Sequence, residues 1–235
     1  MQLTSSTLIT VSETVLEHLQ LTKRDLVERV GDGRVSQSGA TIVRSGFPVP
    51  EIDPSLLHTI PSIETFVVSQ ADRSISSTGT NGPLNEAWMP TVEALASTVF
   101  HWLDEHGVGV RGDAYITASI TPADDVNGEA HFDDDQFAPA DGVGVVAIVA
   151  DRDGSRVANS PVLLEGVRSP RPLVIDEGLK AAFADGEIDH DRFDAHTLVL
   201  FPQFGQLHSG PGPCGSAEEV RHLLVFRAST VPLTP

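Results

Sequence analysis

The chain has 235 residues, and its 33 acidic against 15 basic side chains give a formal net charge of -18. This balance argues against a nucleic-acid backbone or an anionic membrane surface as the main partner, and favours a small or neutral ligand. Cys214 is the only cysteine, which excludes an intramolecular disulfide and a cysteine-rich zinc site, so any metal has to be held by histidine and carboxylate.

One substantial core suits this length, and residues 1–235 read as a single domain. The start "MQLTSSTLITVSETVLEHL" lacks the basic opening and continuous apolar run of a signal peptide, and no window approaches a membrane span. A cytoplasmic protein is therefore expected. Strong acidity with little lysine also fits a protein kept soluble in high salt.

In "SETVLEHLQLTKRDLVERVGDG" the apolar positions Val15, Leu16, Leu19, Leu26, Val27 and Val30 suit one or two amphipathic helices ending at Gly31. "GFPVPEIDPSLLHTIPS" is rich in proline and reads as loop. "PTVEALASTVFHWLDEHG" is the clearest helix: Pro90 suits its first turn, Val92, Leu95, Ala96, Val99 and Leu103 form a stripe, and Gly107 follows its end.

Beyond this point short segments rich in Val, Ile, Leu and Phe alternate with Gly, Pro, Asp and Ser turns. They are "DAYITASI", "AHFDDDQF", "GVGVVAIVAD", "SPVLLEGV", "PLVID", "HTLVLFP", "GQLHSG" and "VRHLLVFRAS". The expected fold is mainly β with N-terminal helices, built on a jelly-roll (double-stranded β-helix, cupin-like) core. Residues 1–110 are expected to be mostly supporting helices and loops, and residues 111–235 to form the core that carries the site.

Chemistry concentrates in "EAHFDDDQFAP". Residues two apart on a strand face the same side, so His131 and Asp133 point together while Phe132 packs behind. An imidazole and a carboxylate from one strand make two corners of a facial triad, which leaves open positions on iron. The third corner is expected on a late strand, and His208 in "FPQFGQLHSGPG" is the best candidate. If the following turn is centred near Cys214 and Gly215, Arg221 on the returning strand lies roughly opposite His208, poised to grip a ligand carboxylate.

This ordered set, His131-Phe132-Asp133, distal His208, and Arg221 opening "RHLLVFR", resembles the iron(II)/2-oxoglutarate-dependent dioxygenases. The likeness is strongest to their prolyl-4-hydroxylase-like branch, which Phe137 also suits, and covers roughly the C-terminal half. The resemblance implies Fe(II), held by His131, Asp133 and His208, and 2-oxoglutarate, whose distal carboxylate Arg221 would hold. With O2 these would hydroxylate an unactivated C–H bond of a small molecule, amino-acid-like or a secondary metabolite, releasing succinate and carbon dioxide. Alternatives are a protein side-chain hydroxylase of the prolyl-hydroxylase or JmjC ribosomal-oxygenase type, and a non-catalytic cupin-like binding module.

Several residues have plainer readings. Asp134 and Asp135 read as solvated, though Asp135 shares the face of the candidate ligands. Arg227 shares a face with Arg221 and competes for its role, but should lie some 13 Å further along the strand. Tyr115, the only tyrosine, would either hydrogen-bond the cosubstrate or anchor a strand edge. His190 is expected in a loop, His196 at a strand end, His101 and His106 on the helix and its end, and His222 on the face opposite Arg221. Trp88 and Trp102 read as helix-packing residues, and no neighbouring base marks Cys214 as a nucleophile.

Overall fold

A computed structural model describes residues 40–122, 129–131, 143–158, 177–203, 207–211 and 220–232. The expected N-terminal helices, the segments "SPVLLEGV" and "PLVID", and Cys214 lie outside them. Ten strands and two α-helices are described: β1 (Thr41–Arg44), β2 (Ser62–Val68), β3 (Ile75–Ser77), α1 (Gly82–Glu105), β4 (Val108–Pro122), β5 (Val143–Ala150), β6 (Ser155–Ala158), α2 (Glu177–Ala184), β7 (His190–Phe193), β8 (Leu198–Pro202), β9 (His208–Ser209) and β10 (Val220–Pro232). A short 3-10 helix, Pro54–Leu56, interrupts the loop after β1.

All pairings are antiparallel. The large sheet runs β1-β8-β5-β10-β4-β2-β3, and a smaller sheet runs β7-β6-β9. A bridge between His131 and His208 adds a fourth member beside β9. From β4 onward the chain alternates between the sheets: β4 in the large one, His131 in the small one, β5 large, β6 and β7 small, β8 large, β9 small, β10 large. The order β8-β5-β10-β4 therefore faces β7-β6-β9-His131, which is the winding of a jelly roll.

Strand β5, "VGVVAIVA", shows why the sequence folds this way. It pairs with β10 on one side and β8 on the other, and residues 145–150 are all buried. A strand covered on both faces needs a continuous apolar run. Val145, Ala147 and Val149 pack outward beneath α1 with Leu198, Leu200, Leu224 and Phe226. Val146 and Ile148 pack inward with Val199, Phe201 and Val225, and meet Val157 and Phe193 of the small sheet.

Helix α1 covers the outer face of the large sheet through Leu84, Trp88, Val92, Leu95, Val99 and Leu103. It begins a full eight residues before the expected start at Pro90. Asn81 caps it by accepting the Leu84 N–H at 3.3 Å, Pro83 lies in the first turn, and Leu84 and Trp88 extend the apolar stripe backward. Pro90 is an internal residue. The bond it cannot donate is the one to the Glu86 carbonyl, on an exposed side of the helix.

Residues 41–77 add three strands to the mostly helical and loop structure expected before residue 111. They supply both edges of the large sheet: β1 pairs with β8, β2 with β4, and β3 with β2. No helix among the described residues is long and apolar enough to cross a membrane.

Candidate metal centre

The His131 N–H donates to the His208 carbonyl at 2.8 Å, and the His208 N–H donates to the His131 carbonyl at 3.0 Å. Residues that exchange both bonds stand directly opposite, with side chains on one face. The imidazole centroids are accordingly 4.4 Å apart. The Phe201 ring, an inward residue of β8, lies 4.8 Å from that of His208, so the pair projects between the sheets. His208 is only 2 % exposed.

The His131 Nδ1 lies 3.0 Å from the Glu129 carbonyl. A carbonyl only accepts, so Nδ1 carries the proton there, and in the neutral ring Nε2 keeps its lone pair. Metal-binding histidines are typically fixed by this kind of bond from the second nitrogen. The Glu129 carboxylate in turn receives Lys180 Nζ of α2 at 2.5 Å, which ties the segment carrying His131 to the helix.

Asp133, the expected carboxylate ligand, lies outside the described residues, as do Asp134, Asp135 and Phe137. Among the described residues no third His, Cys, Asp or Glu completes a metal-holding group with the pair. Two imidazoles, that of His131 with its tautomer fixed, fit one face of an iron, zinc, copper or nickel site, since imidazole suits all four.

Arg221 and Arg227 share the inward face of β10, whose intervening Leu223 and Val225 pack inside. Arg221 is 2 % exposed. Its Nε donates to Thr121 Oγ1 at 3.1 Å, and its Nη1 donates to the Pro211 carbonyl. It is not a hairpin partner of His208, as the sequence had suggested. Strands β9 and β10 belong to different sheets, so His208 has His131 and Val157 at its sides and Arg221 has Thr121. The two face each other across the interior, with Arg221 displaced toward Pro211, three residues beyond His208.

Arg227 stands in the register row of Phe201. Its register partner on β5 is Val146, whose partner on β8 is Phe201, the residue that touches His208. Its Nη1 donates to Thr117 Oγ1 at 3.3 Å. Tyr115 stands opposite Arg227. It is six positions along β4 from Thr121, about 20 Å at strand spacing, so Tyr115 and Arg221 are not brought together around one small ligand.

Five other histidines have structural work. His222 is buried on the outer face, its Nδ1–H donating to Asp151 Oδ2 at 2.7 Å, with its ring edge against Trp88. His196 takes a left-handed φ of 59°. Its N–H donates to the Ala150 carbonyl, its own carbonyl accepts the Phe47 N–H, and its Nδ1–H meets the Phe47 carbonyl. His190 opens β7 rather than lying in a loop, because its backbone pairs with Ala158. His101 forms an exposed i,i+4 pair with Glu105, and His106 closes α1 with its ring stacked on Trp102.

Two buried polar side chains carried no separate signal in the sequence. Glu64 on β2 is 7 % exposed, beneath the start of α1, and burial pushes its carboxyl above the usual carboxylate range. Gln203, just past β8, is 1 % exposed, and neither amide atom has a hydrogen-bond partner among the described residues. The parity of Val199 and Phe201 was the one available clue to it.

No family model matches the sequence, and no curated protein matches it. Solved structures with a similar chain path include the Kdo hydroxylase KdoO, a non-heme Fe(II) α-ketoglutarate-dependent dioxygenase, at 10 % identity and a TM-score of 0.44, covering 89 % of this chain and 84 % of that one. The non-heme α-ketoglutarate-dependent carbocyclase SnoK from nogalamycin biosynthesis matches at 11 % identity and a TM-score of 0.43, covering 95 % and 79 %. The Fe(II)/α-ketoglutarate-dependent dioxygenase TqaL matches at 10 % identity and 0.38, covering 97 % and 83 %. The described residues themselves define a jelly-roll β-sandwich with a histidine pair on its inner face.

Proposed function

We propose that the protein is an iron(II)- and 2-oxoglutarate-dependent oxygenase that hydroxylates an unactivated C–H bond of a small molecule, amino-acid-like or a secondary metabolite. Succinate and carbon dioxide would be the co-products. The observation that carries this reading is the His131–His208 pair, two imidazoles side by side inside a jelly roll. The order of His131, Asp133, His208 and Arg221 supports the prolyl-4-hydroxylase-like branch.

His131 and His208 would hold iron through Nε2, with Asp133 as the third ligand. Iron with 2-oxoglutarate and oxygen supplies the oxidising power that no side chain has. The chain supplies orientation and dryness. The Glu129 carbonyl fixes the His131 ring, while Phe201, Val199 and Val225 line the interior beside His208 and exclude water. Arg221, a buried cation on the inward face, would receive the distal carboxylate of 2-oxoglutarate in a charge-assisted grip.

The test is anaerobic addition of iron(II) and 2-oxoglutarate, followed through the visible charge-transfer absorption of the chelate. The expected result is a band in the wild type that is lost in His208→Ala. A correctly folded wild type without a band overturns the oxygenase reading and leaves a binding module.

A further inference from the structure

We infer that Arg227, with Tyr115 and Thr117 beside it, receives a carboxylate of the substrate, so that the molecule oxidised is an organic acid other than 2-oxoglutarate. The inference rests on the oxygenase reading above and names the substrate class for the same site.

The inner face of the large sheet divides into a dry half and a polar half. On β5 and β8, Val146, Ile148, Val199 and Phe201 are buried against Val157 and Phe193 of the small sheet. On β4 the residues Ala114, Ile116, Ala118 and Ile120 pack outward beneath α1, so the alternate residues Tyr115, Thr117 and Ser119 face inward. All three are partly exposed, and so is Arg227 on the neighbouring strand. Solvent therefore reaches this half of the face.

The two inward arginines of β10 serve different levels. Arg221 is 2 % exposed, and its guanidinium is held by Thr121 Oγ1 and the Pro211 carbonyl, on the side that the short turns 151–154 and 194–197 close. Arg227 reaches Thr117 Oγ1 at 3.3 Å, four positions along β4 from Thr121, about 13 Å at strand spacing. It stands opposite Tyr115 and in the row of Phe201, whose ring touches that of His208. With the tail of 2-oxoglutarate assigned to Arg221, Arg227 is a second cation, away from the closed end and on the part of the face that solvent reaches.

The chemistry narrows the class. The chain carries 33 acidic against 15 basic residues, a balance that repels anions, so recognising one depends on a local cation. A guanidinium and a phenol both donate, and the planar fork of arginine matches the two oxygens of a carboxylate. An ammonium would be repelled, and a primary amide would set its own N–H donors against them. A phosphate dianion would bring twice the charge of a carboxylate to the single arginine of this row.

The experiment loads the full chain with zinc(II) and saturating 2-oxoglutarate, which would occupy Arg221. It then titrates three acids and their primary amides by ligand-observed NMR: benzoate, hexanoate and N-acetylglycinate. Wild type should bind at least one acid about tenfold more tightly than its amide, the scale of a charge-assisted hydrogen bond. Arg227→Gln should lose that preference while its 2-oxoglutarate affinity changes by less than about tenfold, and Arg227→Lys should keep part of it. Tyr115→Phe should weaken the same acid by about fivefold, the net worth of one hydrogen bond. Arg227→Met provides the comparison if the glutamine variant does not fold. No acid preference in wild type, a preference that survives in Arg227→Gln, or a fall of about 100-fold in the 2-oxoglutarate affinity of that variant would each overturn the inference. Failure of wild type to bind 2-oxoglutarate overturns the oxygenase reading instead, and the acid preference and its dependence on Arg227 are then read without it.

Discussion

His131 and His208 exchange both backbone hydrogen bonds, at 2.8 and 3.0 Å, and that exchange sets their rings 4.4 Å apart. Because the backbone ladder fixes the spacing, removing one imidazole should leave the other in place but unable to hold a metal with useful affinity. His131→Ala and His208→Ala are each expected to weaken manganese(II) binding by about 100-fold or more, a loss at least as large as that from a supporting group. His190→Ala should not weaken it, since that ring serves the Ile188 carbonyl. Titration followed by electron paramagnetic resonance of free manganese measures all three.

The sequence signalled most clearly where one periodicity dominates. The apolar stripe of α1, the unbroken run of β5 and the late strands "TLVLFP" and "RHLLVFR" were readable because each buries whole faces. Strands β6 and β7, "SRVA" and "HDRF", are four residues long and carry charges, so their backbone pairing leaves no apolar pattern. In β2 the buried phase includes Glu64, a polar residue where alternation predicts an apolar one. The histidine pair could be guessed from spacing, but the level of Arg221 could not. Hairpin reasoning assumes that consecutive strands share a sheet, and the jelly roll sends β9 and β10 to opposite sheets.

Glu64 gives a pH-dependent prediction. Burial raises its carboxyl pKa above the ordinary value of a glutamate, so the folded state binds the proton more tightly than the unfolded chain. Its neutral form is tolerated at acid pH, and stability falls as pH rises from about the unfolded value through the raised folded one. Glu64→Gln keeps the shape and cannot ionise. The variant should melt at a higher temperature than wild type at pH 7, with the difference closing below about pH 4.5. Thermal unfolding across that range checks it, and a constant difference would refute the assignment.

Asp151 and His222 clamp the end of β5 to the start of β10. The Asp151 N–H donates to the His222 carbonyl at 3.2 Å, and the His222 Nδ1–H donates to Asp151 Oδ2 at 2.7 Å. Asp151→Ala removes the side-chain bond and leaves a buried imidazole nitrogen without its partner. The expected loss is about 1.5–3 kcal/mol of unfolding free energy, the range for hydrogen bonds to charged groups and buried unsatisfied donors. Urea unfolding should show a lower midpoint at an unchanged slope.

Arg221 and Arg227 make opposite predictions for the cosubstrate. Arg221 is the more deeply buried and sits toward the end closed by short turns, while Arg227 lies in the row of Phe201. If Arg221 holds the distal carboxylate, Arg221→Met should raise the 2-oxoglutarate Kd about 100-fold, in line with 2–5 kcal/mol for losing one partner of a buried charge pair. Arg227→Met should raise it by less than about tenfold, near the net worth of an ordinary hydrogen bond. Pyruvate has the same 2-oxo acid head but no distal carboxylate, so it separates loss of the anchor from general damage. The Arg221 variant should bind pyruvate as wild type does and lose the preference for 2-oxoglutarate. Calorimetry on the manganese(II)-loaded protein measures both ligands, and the reverse order of effects would assign the anchor to Arg227.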